Sequence, residues 1–381
     1  MSSRRTVLKS AVAALAAIPL QPVWGAFGKP RKILILGGTN FVGPHLVHGS
    51  HIAGHEVTLF NRGITNAHLF PGVEKLRGDR TRNGGLRALE GGRKWDVVID
   101  TWPGHPKTVF DTTKLLSGRA DSYVYVSSIA VYGDFRKVGL TEHDRILSRD
   151  KAPDLSEENI GYAWAKRLGE AAVSENFDGA GVVVRGSSIL GYDYSMLPTN
   201  QSTYWPLRMR AGGDVVVPDD RDAMVQWSDA ASLADFAVKV GSERLPGTFN
   251  AVHEPMPFHE FLKQVQAIAN PGANLVWVPQ DIMEANGGTP FETVPLWIPG
   301  NDPEPGFYQF EHSAALAAGM RVVPLQETVR NLLKTFRSTA PDYQPAWRSS
   351  QGLPQDIEQR ILEAYRSTVA GISAADELVS A

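Results

Sequence analysis

The chain has 381 residues, 43% of them hydrophobic, a formal net charge of −3 and no cysteine. The missing cysteines exclude disulfides, thiolate metal sites and a cysteine nucleophile. The near-neutral charge gives no electrostatic reason to expect nucleic acid or an anionic membrane as partner.

The first thirty residues read as a leader. Ser3 to Lys9 is basic, Ala11 to Leu20 is a short apolar run, and Val23-Trp24-Gly25-Ala26 offers small residues for cleavage. This is the plan of a secretory signal too short to be a stable membrane anchor. Arg4-Arg5 followed by Val7-Leu8-Lys9 resembles a twin-arginine export signal, which carries folded proteins. Residues 1–26 are assigned to it, with the periplasm as destination. The rest of the chain is too long for one typical core and predicts two lobes.

Ile33 to Leu36 is a continuous apolar run, as a strand buried on both faces requires. It enters Gly37-Gly38-Thr39-Asn40-Phe41-Val42-Gly43 and then a helical pattern. Gly37 permits a sharp turn, and Gly43 removes a side chain where the helix packs on the strand. The helix N-terminus then points its N–H groups at whatever lies above. Asn40 stands where a glycine is expected, and Asn is the non-glycine residue best suited to a left-handed backbone. Pro44 fits the first helical position. The whole turn, Gly37 through Gly43, suits a dinucleotide pyrophosphate, although a structural turn without a ligand has the same local pattern.

Further strands are predicted at Glu56–Phe60, Val73–Leu76, Trp95–Asp100 and Ser122–Ser128, alternating with helical segments. That alternation gives a parallel sheet whose ligand lies at the carboxyl ends of the strands. Asn61, Arg62, Asp79, Thr101 and Ser128 all fall at such ends. The acid that would bind the adenosine ribose after the second strand is missing and Arg62 is present, which tilts the cofactor towards NADP over NAD. Asp79 falls on the adenine side.

Tyr162 and Lys166 lie four residues apart on a predicted helix and so share a face. A lysine ammonium beside a phenol favours the phenolate, so Tyr162 is expected to exchange a proton near neutral pH. Ser128 is placed to donate to the same oxygen. A chance Tyr/Lys pair on an exposed helix looks identical.

The glycine turn, Ser127-Ser128-Ile129-Ala130-Val131-Tyr132-Gly133 and the Tyr162/Lys166 pair occur in the order of the short-chain dehydrogenase/reductase superfamily. The chain resembles its extended NAD-dependent epimerase/dehydratase family over roughly residues 31 to 335. Leu59-Phe60-Asn61-Arg62-Gly63, Thr203-Tyr204-Trp205-Pro206 and Pro295-Leu296-Trp297-Ile298-Pro299 look like a bacterial branch related to the chloroplast stem-loop-binding proteins. The resemblance implies Ser128, Tyr162 and Lys166 as catalytic trio, with Tyr162 as acid/base and Lys166 also holding the nicotinamide ribose. Dehydratases of the family carry an Asp-Glu pair after the catalytic hydroxyl residue. Ile129-Ala130 stand there, which argues against dehydration. Glu142 and Asp144 read as solvated loop acids.

The expected fold is α/β, a Rossmann-like doubly wound parallel sheet with a smaller C-terminal substrate-binding lobe. Residues 31–185 form the nucleotide lobe, rejoined by about 222–252. Segments 186–221 and 253–338 build the substrate lobe, and 339–381 form a helical tail. Tyr204, Arg208 and Trp227 are candidates for stacking on and pairing with a sugar-like or acidic substrate, with packing favoured for Trp205. The histidines show no ligand spacing, so no metal is expected. The leading reading is an NAD(P)-dependent epimerase or oxidoreductase acting on a secondary alcohol or ketone of a sugar or glycoside, its cofactor tightly held and internally recycled. Its rivals are a net dehydrogenase/reductase and a non-catalytic RNA- or ligand-binding member of the fold. A homodimer is compatible with either.

Overall fold

The computed structural model describes residues 29–192, 203–339 and 352–380. The leader assigned to residues 1–26, part of the first substrate-lobe segment and the start of the C-terminal tail lie outside them. The first half alternates strand and helix: β1 (Lys32–Leu36), α1 (Val42–Ile52), β2 (Glu56–Asn61), β3 (Glu74–Arg77), β4 (Trp95–Asp100), α2 (Lys107–Leu116), β5 (Ala120–Ser128), α3 (Tyr162–Asn176) and β6 (Ala180–Gly186). After β7 (Ser188–Leu190) the chain passes through α4 (Tyr204–Ala211), β8 (Asp214–Pro218), β9 (Met224–Val225) and β10 (Trp227–Asp229). It then returns to the sheet with α5 (Ala230–Ser242) and β11 (Gly247–Asn250). Beyond lie β12 (Met256–Pro257), α6 (Phe258–Ala269), β13 (Asn274–Val278), α7 (Gln280–Ala285), α8 (Ser313–Ala317), α9 (Leu325–Thr339) and α10 (Gln355–Ser380).

The seven-stranded sheet runs in the order β11-β6-β5-β4-β1-β2-β3, and every neighbouring pair is parallel. Strand β1 therefore sits where the order reverses, which opens a crevice at its carboxyl end. Leu36 is in register with both Phe60 and Asp100. Gly37, Asn61 and Thr101 consequently leave the sheet at one level. The alternation of β1 serves two cores: Ile33 and Ile35 pack with α1 and α5, while Leu34 and Leu36 face the side covered by α2 and α3. Both faces of β1 are dry, so it reads as an unbroken apolar run, whereas the edge strand β3 has no buried residue. The third strand is shifted one residue from the predicted Val73–Leu76.

The second unit has its own core, built from Trp205, Val215 to Val217, Phe258, Phe261, Trp297 and neighbours. Tyr204 and Trp227 belong to this core and are fully buried. Arg208 is held by Glu358 at 2.9–3.0 Å and by the carbonyls of Gly212 and Asp214. The substrate-contact expectation for these three is corrected: each is enclosed in packing or committed to a structural bond, which leaves no face for a ligand. Helix α10 enters the same core through Ile361, and Glu358 also accepts the Val216 N–H at 3.2 Å. Among the described residues no helix is long and apolar enough to cross a membrane.

Removing one partner of a buried ion pair leaves a charge without compensation, at a cost of about 3 kcal/mol. Glu358→Ala is therefore expected to lower unfolding stability by about that amount, read as a drop in the urea midpoint. An unchanged midpoint would show that α10 is not part of the cooperative core.

Candidate active site

The turn after β1 is built from three unusual backbone positions: Gly37 at φ 121°, Gly38 at φ 89° and Phe41 at φ 46°. The left-handed position is thus Phe41, not Asn40. Asn40 instead accepts the Gly43 N–H on its carbonyl at 2.9 Å. Strain of this kind is held where surrounding packing fixes it, and Phe41 packs against the core beneath the sheet. A Cβ on Gly43 would lie 2.7 Å from the Gly38 backbone, so helix and turn touch without a side chain between them. Helix α1 begins at Val42, placing Pro44 third rather than first. It still lies in the opening turn, where a missing N–H costs nothing. Phe41 supplies no side-chain cap to α1. The first N–H groups are thus free of a capping side chain at a positive dipole end, which fits a pyrophosphate.

Asn61 fastens the ends of β2 and β3 to this turn. Its Nδ2 donates to the Gly37 carbonyl at 2.8 Å, and its Oδ1 accepts from the Gly63 N–H at 2.9 Å and from Arg77 Nη1 at 2.5 Å. The acid that sequence reasoning found missing is replaced by a residue spent on holding the turn. Arg62 is exposed beside it, and its positive charge helps hold the Asp79 carboxyl low. The larger contribution is from Thr81, whose hydroxyl and N–H both donate to Asp79. Asp79 thereby shapes its own loop. Thr101 Oγ1 reaches the Leu36 carbonyl at 3.4 Å, bordering the turn from the other side.

Tyr162 opens α3, Ser128 ends β5, and Lys166 lies one turn along α3. Ser128 Oγ accepts the Ala130 N–H at 3.2 Å. Tyr162 keeps 53% of its surface exposed, yet burial around its hydroxyl raises the phenol pKa, with the nearby Ser128 hydroxyl opposing. Lys166 is only 3% exposed. Its Nζ donates to the carbonyls of Trp102 at 2.9 Å and Val126 at 2.7 Å and lies 6.0 Å from the Tyr162 ring centre. The structure thus brings the trio together, with one correction: Lys166 spends its hydrogen bonds on carbonyls, and the Tyr162 phenol sits above its ordinary pKa, not below. Burial brings Lys166 itself down to about 8, against the opposing charges of Asp100 and Glu170.

Residues 33–251 match the NAD dependent epimerase/dehydratase family. The chain belongs to that family. It is an enzyme of the extended short-chain dehydrogenase/reductase type that uses a nicotinamide cofactor. Among similar proteins, 2'-dehydrokanamycin reductase of Streptomyces kanamyceticus is 28% identical over 66% of this chain and 70% of its own length. The chloroplast stem-loop binding protein of 41 kDa b of Arabidopsis thaliana is 27% identical over 56% of each. Similar folds include the Bordetella bronchiseptica enzyme WbmG in complex with NAD (TM-score 0.60, 18% identity, 82% of this chain and 96% of that one). UDP-N-acetylglucosamine 4-epimerase from Bacillus cereus is comparable (TM-score 0.61, 15% identity, 83% and 99%).

Sequence reasoning passed over the groups beneath this family site. Glu170 accepts from Ser127 Oγ at 2.7 Å and from Arg185 at 2.9 Å, and Arg185 lies over the Tyr132 ring. Glu142 is not a free loop acid, since it accepts the Asn250 N–H at 2.7 Å, and Asp144 caps Thr141. Asp100 was visible as a charge at a strand end, but nothing in the sequence marks its burial.

The direct contact of Gly43 with Gly38 generates a prediction. Gly43→Ala should displace the turn and weaken dinucleotide binding at least about tenfold, or 1.4 kcal/mol, by calorimetry. Gly72→Ala, whose added Cβ meets nothing within 4 Å, should leave binding unchanged. Equal affinities for the two variants would remove the turn from the cofactor site.

Proposed function

We propose that this chain is an exported, NADP-preferring epimerase or oxidoreductase acting on a secondary alcohol or ketone of a sugar-like molecule. The observation that carries the reading is the joint placement of Tyr162, Ser128 and Lys166 beside the carboxyl end of β5. When bound, the nicotinamide group supplies hydride transfer at the carbinol carbon. Tyr162 moves the accompanying proton between its hydroxyl and the substrate oxygen, and Ser128 orients that oxygen by hydrogen bonding. Lys166, its ammonium 6.0 Å from the Tyr162 ring centre, holds the nicotinamide ribose. Arg62, with Arg77 one strand over, supports a 2'-phosphate in place of the missing acid. A relative named as a 2'-dehydrokanamycin reductase supports carbonyl chemistry on a sugar-like substrate, and a neighbouring fold crystallised with NAD supports the nicotinamide cofactor.

The relative's name also favours a second reading, a net reductase that exchanges cofactor every cycle. The Arg4-Arg5 leader favours the first. Outside the cytoplasm released NADP(H) is not expected to be replenished, so each cycle must end redox-neutral, by epimerisation, isomerisation or paired oxidation and reduction. The substrate is then a free sugar, glycoside or polyol rather than a nucleotide sugar. An RNA-binding role, suggested by the stem-loop-binding relative, draws no support from a net charge of −3.

Purified mature protein should carry near-stoichiometric NADP through extensive dialysis, identified by mass spectrometry after denaturation. Protein that purifies empty and consumes added cofactor in step with product would establish the net reductase instead. Tyr162→Phe should retain the dinucleotide while slowing reduction of the bound cofactor by sugars at least about 100-fold, monitored by near-ultraviolet absorbance. Retention of most of that rate would remove Tyr162 from its role.

A further inference from the structure

An ion pair that the reaction does not itself require lies beneath the cleft. Arg80 comes shortly after β3, Asp100 ends β4, and their side chains are only 6% and 0% exposed. The carboxylate is fully satisfied. Oδ1 accepts Arg80 Nη1 at 2.8 Å and the Trp102 N–H at 2.9 Å, while Oδ2 accepts Arg80 Nη2 and the Tyr123 hydroxyl, both at 2.6 Å. Burial alone would raise the Asp100 pKa, but the charge and hydrogen bonds of Arg80 outweigh it and keep the group ionised. The Arg80 guanidinium also lies 5.3 Å from the Trp102 ring centre. Trp102 is thus gripped twice, at its N–H by Asp100 and at its ring by Arg80.

The Trp102 carbonyl passes that grip on. It accepts Lys166 Nζ at 2.9 Å and the Tyr125 hydroxyl at 3.1 Å. A lysine ammonium has three N–H groups, and the Trp102 and Val126 carbonyls take two. The remaining one is the donor that a ribose hydroxyl or the Tyr162 oxygen would use. A displacement of the Trp102 carbonyl would redirect it. A buried ion pair adds little net stability against an apolar replacement, so its consequence lies in what it orients.

We propose that Arg80 and Asp100 are positioning residues that fix the Trp102 carbonyl and thereby set where Lys166 presents its ammonium to the cofactor. The inference rests on the cofactor-holding role of Lys166. It predicts more than a scaffold would. The charged and titratable groups facing Lys166 are Asp100 from β4, Arg80 from beyond β3, Glu170 and Tyr162 from α3, and Tyr125 from β5. Asp100 raises the Lys166 pKa and Arg80 lowers it. Removing the Asp100 charge alone must therefore move the titration of Lys166 down, whereas removing Arg80 also pushes the buried Asp100 towards its neutral form.

The test measures release of NADP from the mature protein, as purified or after loading, from mildly acid to strongly alkaline pH. Release should accelerate as the Lys166 ammonium is lost. Asp100→Asn, which leaves the Arg80 charge in place, should move that alkaline midpoint down and quicken release at neutral pH at least about tenfold. Where a single variant fails to fold, Arg80→Gln with Asp100→Asn keeps the buried charge balanced. Its midpoint should stay near that of the wild type while release quickens at least about tenfold. An unmoved midpoint in folded Asp100→Asn, or unchanged release in the double variant, would overturn the positioning role. Lys166→Met separates this from failure of the parent reading. If it releases NADP with the wild-type rate and pH dependence, the assignment of Lys166 itself is wrong.

Discussion

A positive charge shut away from water must be given hydrogen bonds, and Lys166 is the charge around which this cleft is arranged. Its side chain is nearly inaccessible, so two carbonyls must turn towards it. One of them, that of Val126, is near the end of β5. The other, that of Trp102, belongs to a loop whose own position is held by a second enclosed ion pair. Glu170, one turn further along α3, binds Arg185 and Ser127. The strand ends thus meet at charges whose partners come from different segments of chain. Moving any one of them leaves another uncompensated.

The central strands were legible because burial on both faces makes them apolar runs, such as Ile33 to Leu36 and Val97 to Ile99. Gly37, Asn61 and Thr101 leave the sheet together because Leu36 is in register with Phe60 and Asp100. That alignment comes from parallel pairing and strand order, which the alternation of strand and helix anticipates. The Tyr162/Lys166 spacing was legible for the same kind of reason, being a property of one helix.

The features hidden from the sequence depend on contacts between distant segments. Tyr204 and Trp227 look like stacking faces because aromatic residues near glycines and prolines often are, but their burial is decided by α6 and the loops that cover them. Arg208 looks like a free cation until Glu358, 150 positions away, reaches it. Carbonyl acceptors leave no signature in a sequence, so the environment of Lys166 could not be read even with Lys166 in view. Phe41 shows the reverse error. Propensity assigned the left-handed backbone to Asn40, and packing gave it to a phenylalanine.

The docking of α10 makes the second core depend on residues far apart in the chain. Leu353 and Ile361 pack into it, and the cation of Arg208 is matched by Glu358. The first core also reaches forward, taking in Ala315 and Met320 beyond the last strand of the sheet. Cutting the chain ahead of α10 would therefore open the second core and strand a cation, while the residues that line both faces of the large sheet would all remain.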